Sequence, residues 1–215
     1  MKNAKSRVVA VLLSFSCAVP ALAAPPMPAH ALGEAAEDLS DACLAGKTAD
    51  ARRLAAQAQA DARRVTITAI QAGGAADIDL AVADDLLDRA RLLCARGASA
   101  SGALAATQVT LLAMRLDPPS RRLARRLVWF DYLAGEILLR SRRGAPGDRA
   151  AVERRCGQMA ALWSALRPRF AGNEPLAAKG DALVEGLKAP GTVVQRERQG
   201  ARASDFVDEL EKAAP

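Results

Sequence analysis

Hydrophobic residues recur every three or four positions along most of this chain, which is the period of an α-helix with one buried face. Glycine and proline interrupt this pattern between successive segments, as they do where helices end. Pro168 is predicted to kink or end the sixth segment. Seven helices are predicted to begin near residues 31, 48, 77, 101, 120, 148 and 174.

Short connections between consecutive helices favour antiparallel neighbours. The sequence therefore predicts an all-α fold, an up-and-down bundle of about six to seven helices. A short tetratricopeptide-like α-solenoid is the alternative, suggested by the helix ending Ala-Met-Arg-Leu-Asp-Pro at residues 113–118. Such a solenoid would carry a repeat of about 34 residues, and the sequence contains no second copy of this segment. The bundle is the favoured prediction.

The first 23 residues have the pattern of a secretory signal peptide. Lys2, Lys5 and Arg7 precede an apolar stretch, and small residues lead up to Ala23. We expect cleavage after Ala23 and a periplasmic or secreted protein. The apolar stretch is shorter than the roughly 20 residues that span a bilayer, and no later segment is long and charge-free enough, so no transmembrane segment is predicted.

Composition divides the rest of the chain into three parts. Residues 24–30 contain three prolines and are predicted to form a flexible leader. Residues 31–190 are predicted to form the helical bundle domain, and their number suffices for one core. Residues 191–215 are predicted to form a polar tether followed by a short C-terminal helix that Ser204 caps.

Three of the four cysteines remain after cleavage, so at most one internal disulfide can form. Cys43 ends the first predicted helix and Cys94 ends the third, and these two points lie at the same end of an antiparallel arrangement. Cys156 lies on the apolar face of the sixth helix, where a free thiol behaves as a small hydrophobe. We predict a Cys43–Cys94 disulfide, with three free buried thiols as the alternative.

Charge and motifs argue against several classes of function. Cleavage removes three positive charges and lowers the formal net charge from +6 to +3, which does not indicate nucleic-acid binding. The single histidine, His30, lies in the predicted leader, and Cys-x-x-Cys, Gly-x-Ser-x-Gly and glycine-rich phosphate loops are missing. We therefore predict no catalytic residues, no metal and no cofactor, and the sequence favours a protein that is not an enzyme.

The fifth helix has an unusual second face. Its inward stripe is predicted to be residues 123, 127, 130, 134 and 137, and the opposite face mixes arginine with aromatic residues. Arginine, tryptophan and tyrosine together are typical of interaction hot spots. The predicted binding residues are Arg121, Arg122, Arg125, Arg126, Trp129, Tyr132, Glu136 and Arg143.

Four of these arginines crowd the first turns of the helix, where the helix dipole disfavours cations and neighbouring arginines repel each other. A bound anion would relieve both penalties, because free backbone amides and guanidinium groups suit phosphate or carboxylate. The alternative is that Trp129 and Tyr132 pack on a neighbouring helix while the arginines extend to solvent.

These observations lead to three hypotheses of function. The leading one is an exported, non-enzymatic protein that binds an envelope protein or an anionic surface ligand through the fifth helix. The second is a small helical-bundle enzyme acting on an anionic metabolite, with Arg126 and either Glu136 or Glu153 in a pocket. The third is an assembly role through the last helix, at residues 206–210.

Overall fold

The computed structural model describes residues 28–71, 77–116 and 122–214. These residues form helices throughout and include no strand, which confirms the predicted all-α bundle. A short 3₁₀ helix, Arg167–Phe170, follows the sixth α-helix. The α-helices in chain order are α1 Pro28–Leu44, α2 Thr48–Gln71, α3 Asp77–Ala95, α4 Ser99–Leu116, α5 Arg122–Arg143, α6 Asp148–Leu166, α7 Glu174–Lys188 and α8 Val193–Ala213.

Two packed groups of helices share one interface. In the first group α1 packs against α2 and α4, and α3 packs between α2 and α4. In the second group α5 packs against α6 and α8, with α7 contacting both α6 and α8. Helix α5 also packs against α4 and so joins the two groups. No α-helix in the described ranges is long and apolar enough to cross a membrane.

Small residues allow the helices of the first group to approach closely. Alanine supplies much of the buried surface of α1, α2 and α4. Cys43 at the end of α1 is joined to Cys94 at the end of α3 by a disulfide, with Cα atoms 5.3 Å apart. The disulfide prediction is therefore confirmed. Gly102 of α4 lies directly against this bridge, and a β-carbon there would collide with the sulfur of Cys94.

Aromatic side chains fill the second group. Trp163 lies at the centre, stacked on Phe170 and in edge contact with Phe206, and the ring centroids are 6.4 Å and 5.5 Å away. The backbone of α8 reaches α5 at Gly200, where a β-carbon would lie 2.6 Å from the backbone nitrogen of Leu138. Glycine at this position is thus what lets α5 and α8 lie side by side.

The C-terminal tether predicted within residues 191–215 is wrong, because these residues form the single long helix α8. Its start is fixed by a capping box, in which the Thr192 side chain accepts from the Gln195 amide and the Gln195 side chain accepts from the Thr192 amide. Ser204 donates to Asp131 of α5 at 2.8 Å and caps nothing. The polar stretch is helical because every third or fourth residue of it is buried against the bundle.

The N-terminal boundary also differs from the prediction. The leader was predicted at residues 24–30, but helix α1 begins at Pro28, so residues 28–30 are helical. Proline suits this position because the first helical residue needs no amide donor. The predicted signal peptide, residues 1–23, lies outside the described residues. Helix α6 ends at Leu166, in agreement with the break expected from Pro168.

Candidate functional site

Of the four arginines predicted at the start of α5, the structure describes the side chains of Arg125 and Arg126, and these two have different surroundings. Arg121 lies outside the described residues, and of Arg122 only the backbone is described. Arg125 is exposed to solvent. Arg126 crosses to α6, where its Nη1 donates to the carbonyl oxygen of Ala165 at 3.0 Å.

The two aromatic residues of the predicted binding face pack on each other. Trp129 and Tyr132 are stacked with centroids 5.3 Å apart, and Trp129 is half-buried. Tyr132 is buried, so it cannot form part of an exposed ridge. Burial, and after it the negative charge of Glu136, raise the pKa of Tyr132 to about 12. The expectation of an exposed ridge is therefore wrong at Tyr132, because its side chain is buried in the hydrophobic core of the second group of helices.

Glu136 lies at the centre of an ion network between α5 and α6. Its side chain is fully buried. Arg140, one turn further along α5, donates to one carboxylate oxygen from Nε at 2.9 Å and from Nη2 at 2.7 Å. Arg155 of α6 donates from Nε to the other oxygen. Two guanidinium groups thus neutralise one buried carboxylate, as a buried charge requires.

A second buried carboxylate, Asp148, extends this network to the loop before α6. It accepts from Arg143 Nε at 2.8 Å, from Arg140 Nη1 at 3.2 Å and from the amide of Ala145 at 2.8 Å. The hydrogen bond from Arg143 is the main cause that holds the pKa of Asp148 below its ordinary value. Arg140 therefore bridges Glu136 and Asp148.

Arg196 of α8 is a further buried charged residue in this region, and it was not among the predicted binding residues. Its side chain is only 3% exposed and forms a two-pronged pair with Glu153 of α6, at 3.0 Å and 2.7 Å. Its other N–H groups donate to the carbonyl oxygens of Leu187 and Ala189 and to the side chain of Gln199. All five donors of Arg196 are thus used within the protein, so it positions α8 and does not itself offer a donor to a ligand.

Four of these side chains, Arg140, Asp148, Glu153 and Arg196, line a cleft of about 470 Å³ between the end of α5, the start of α6 and the start of α8. Among the residues lining it, three arginines face two carboxylates. The start of α8 lines the cleft with Val193 and Gln195, and its first turn carries no acidic residue. The lining includes Arg140, Ser141, Arg149, Glu153, Val193 and Arg196.

Three kinds of donor remain for a ligand in this cleft. Arg140 uses three of its five N–H groups on carboxylates, and Arg149 is exposed. The first amides of α8, at Val193 and Val194, have no acceptor within their own helix. The hydroxyl of Ser141 is buried and has no hydrogen-bond partner in the described structure. A buried hydroxyl without a partner is costly, and a ligand atom would remove that cost.

The geometry suits an anion better than a metal. No group of three histidine, cysteine, aspartate or glutamate side chains within the described ranges could hold a metal ion. Guanidinium groups, free helix amides and a hydroxyl together are the donors that bind phosphate or carboxylate. Of the predicted residues, Glu136 and Arg143 belong to the network behind this cleft, whereas Arg125 and Arg126 do not line it.

The chain matches no known protein family, no curated protein and no solved structure.

Proposed function

We propose that this protein is an exported, non-enzymatic helical bundle that binds a small anionic component of the cell envelope, carrying phosphate or carboxylate, in the arginine-lined cleft. The observation that carries the proposal is the buried, unpartnered hydroxyl of Ser141 at a cleft with more guanidinium groups than carboxylates. Donors without acceptors are what an anion site presents before its ligand binds.

The fixed charges of the cleft support the same ligand chemistry. Asp148 and Glu153 are each held by guanidinium groups, so neither carboxylate is free to repel an incoming anion at full strength. The start of helix α8 adds a partial positive charge, whose effect is confined to the neighbourhood of its first turn. Arg149 is exposed at the rim and can reorient toward a ligand without breaking an existing ion pair within the described structure.

Two observations support export as part of the proposal. The first 23 residues have the sequence pattern of a cleaved signal peptide. The Cys43–Cys94 disulfide is of the kind that persists in oxidising compartments such as the periplasm or the extracellular medium. Processing is tested by expressing the full chain and determining the N-terminal residue of the product, with Ala24 expected.

Ligand binding is tested by thermal unfolding in inorganic phosphate and in succinate, which separate phosphate from carboxylate recognition. We expect the unfolding midpoint to rise with ligand concentration, because a ligand that binds only the folded state stabilises it. Replacing Arg149 by Ala should weaken binding about tenfold, since one charge-assisted hydrogen bond is lost at a partly exposed site. Arg154→Ala, an exposed arginine of the same helix that does not line the cleft, is the matched control.

Ser141→Ala separates a binding role of the hydroxyl from a structural one. The unliganded variant should be as stable as the parent or slightly more stable, because an unsatisfied buried hydroxyl is removed. Its midpoint should respond less to the anion. Equal rises of the unfolding midpoint in the parent protein, Arg149→Ala and Ser141→Ala would contradict anion binding in this cleft.

The hypothesis of an enzyme is less well supported than binding. It needs Arg126 beside a free carboxylate, but Arg126 bonds to Ala165 and Glu136 is already held by two arginines. Glu153 lines the cleft but is paired with Arg196. A general acid or base must be able to exchange its proton with a substrate, and these pairings oppose that.

A further inference from the structure

A second groove, of about 520 Å³, lies between α1, α4, α5 and α8 and has the opposite charge. Among the described residues that line it there is no lysine or arginine, and its one basic side chain, His30, is exposed and lies 3.4 Å from one of the carboxylates. Five carboxylates line the groove: Glu34, Glu37, Asp131, Asp208 and Glu211.

These carboxylates come from three helices and lack strong partners. Asp131 of α5 accepts one hydrogen bond, from Ser204. Burial, followed by the charges of Asp131 and Glu211, raises the pKa of Glu37 to about 7. Burial also raises the pKa of Asp131 and of Glu211. The end of α8 adds the negative partial charge of its last carbonyl groups to the same place. The groove therefore has an unbalanced negative potential.

The buried wall of the groove contains an unsatisfied hydroxyl. Thr110 of α4 is 8% exposed, and its Oγ1 has no hydrogen-bond partner in the described structure. Thr107, one turn earlier, shows the usual alternative, because its hydroxyl donates to the carbonyl oxygen of Ala103 at 3.0 Å. Thr110 also lines an adjoining pocket that contains Glu37 and Asp131. A free hydroxyl beside two carboxylates can accept a hydrogen bond from an ammonium group.

The spacing and the lining decide what kind of cation fits. No three carboxylates of the described groove lie close enough together to hold a metal ion. Apolar side chains, those of Met114, Val128 and Val207, line the groove along with the carboxylates. Carboxylates that do not converge on one point, in a groove that also has an apolar lining, suit ammonium groups joined by an alkyl chain.

We propose that this groove binds a polyamine, a linear alkylamine with at least two ammonium groups. The ammonium groups pair with Glu37 and Asp131 on one side and with Glu211 on the other, and the alkyl chain lies along Val128 and Val207. The site is separate from the arginine-lined cleft, and no residue lines both.

The test is isothermal titration calorimetry with spermidine at low ionic strength, on the protein purified as it is exported. The parent protein should bind, and the triple variant Glu37→Gln, Asp131→Asn and Glu211→Gln should bind about tenfold more weakly or worse, since each exposed ion pair contributes a modest amount. The control is Asp84→Asn with Asp85→Asn, two exposed carboxylates of α3 outside the groove. Equal loss in the control and the triple variant, or no binding by the parent, would overturn the proposal.

Two further measurements separate a polyamine site from general charge attraction. Thr110→Val keeps the shape of the side chain and removes the hydroxyl, so spermidine binding should weaken while the unliganded protein keeps its unfolding midpoint. Magnesium chloride at matched ionic strength should displace spermidine no better than sodium chloride does. Displacement by magnesium at low concentration would instead indicate a metal site and contradict the proposal. Arg149→Ala should bind spermidine like the parent. Failure of anion binding in the arginine-lined cleft can therefore be distinguished from failure of spermidine binding in this groove.

Discussion

The two halves of the bundle are held together by different chemistry. Among the described residues, 14 of the 25 buried hydrophobic residues of α1 to α4 are alanines, whereas only 4 of the 22 in residues 122–214 are. Alanine buries little apolar surface, so each contact in the first half contributes less than a contact of phenylalanine or leucine. The disulfide lies in this half, where it compensates for the weaker core.

The second half combines aromatic packing with buried ions. Phe206 contacts both Phe130 and Trp163 there, and the buried Glu136 is paired with arginines of α5 and α6. Large side chains already supply stability in this half, and buried ion pairs add little net stability while penalising any arrangement that separates them. One architecture can therefore fix its helices either covalently or through charges that must stay paired.

The largest effect is expected from Glu136→Gln in the second half. The substitution leaves Arg140 and Arg155 close together without their shared carboxylate, and breaking a buried pair costs about 3–5 kcal/mol. Urea denaturation measures this loss. Glu34→Gln, which changes an exposed carboxylate, is the control and should be close to neutral. A loss below about 1 kcal/mol would mean that the ion network does not hold this half together.

The next effect is expected from removing the disulfide in the first half. The double variant Cys43→Ala and Cys94→Ala should lose about 2–4 kcal/mol, because the unfolded chain regains the freedom of a long loop. Reducing agent should lower the stability of the parent protein to a similar extent and leave the variant unchanged. If this loss of stability exceeds the loss caused by Glu136→Gln, the disulfide of the first half contributes more to stability than the ion network of the second half does.

A smaller effect is expected where α8 meets α5. Gly200→Ala places a β-carbon against the backbone of Leu138 and should cost about 1–3 kcal/mol through overpacking. Gly157→Ala in α6 is the control, because open space surrounds that helical position. It should stabilise the protein by about 0.5–1 kcal/mol. Equal effects of the two substitutions would show that α8 is not held closely against α5.

The smallest effect is expected at Glu37, on the groove between the halves. Its pKa in the folded protein, about 7, lies above the ordinary value of 4.5. Protonation therefore stabilises the folded state, and that stabilisation is complete below pH 4.5 and lost as the pH rises through 7. Glu37→Gln imitates the protonated form, so it should raise the unfolding midpoint at pH 8 and leave it unchanged at pH 4. The gain should be below about 1 kcal/mol because the side chain is partly exposed.

The sequence predicted what depends on local pattern. The starts of most helices and the Cys43–Cys94 disulfide follow from hydrophobic spacing and from which helix ends share one side of the bundle. The start of α8 was also readable, because Thr192 and Gln195 form a capping box three residues apart. The many charged residues after this start led instead to the prediction of a polar tether, since a helix with a narrow buried face has a composition similar to that of a polar linker.

The sites depend on tertiary packing, which no local pattern specifies. Arg140, Asp148 and Arg196 line one cleft only because α5, α6 and α8 converge at one end. The pattern along α5 indicated Glu136 and Arg143, but it could not indicate Asp148 or Arg155, which pair with them from α6. The carboxylates of the acidic groove come from three helices far apart in sequence. Tyr132 was expected on an exposed face because the packing of neighbouring helices around α5 could not be derived from the sequence of α5 alone.

Cys156 has a consequence for how the protein matures. Burial raises the pKa of its thiol to about 11, so at neutral pH the folded protein keeps it protonated and enclosed. Thiolate is the species that attacks a disulfide, so Cys156 cannot exchange with the Cys43–Cys94 bridge once α6 has docked. Wrong disulfides that involve Cys156 can therefore form only before α6 has docked. Whether oxidation gives one disulfide-bonded product or several then depends on the order in which the helices assemble.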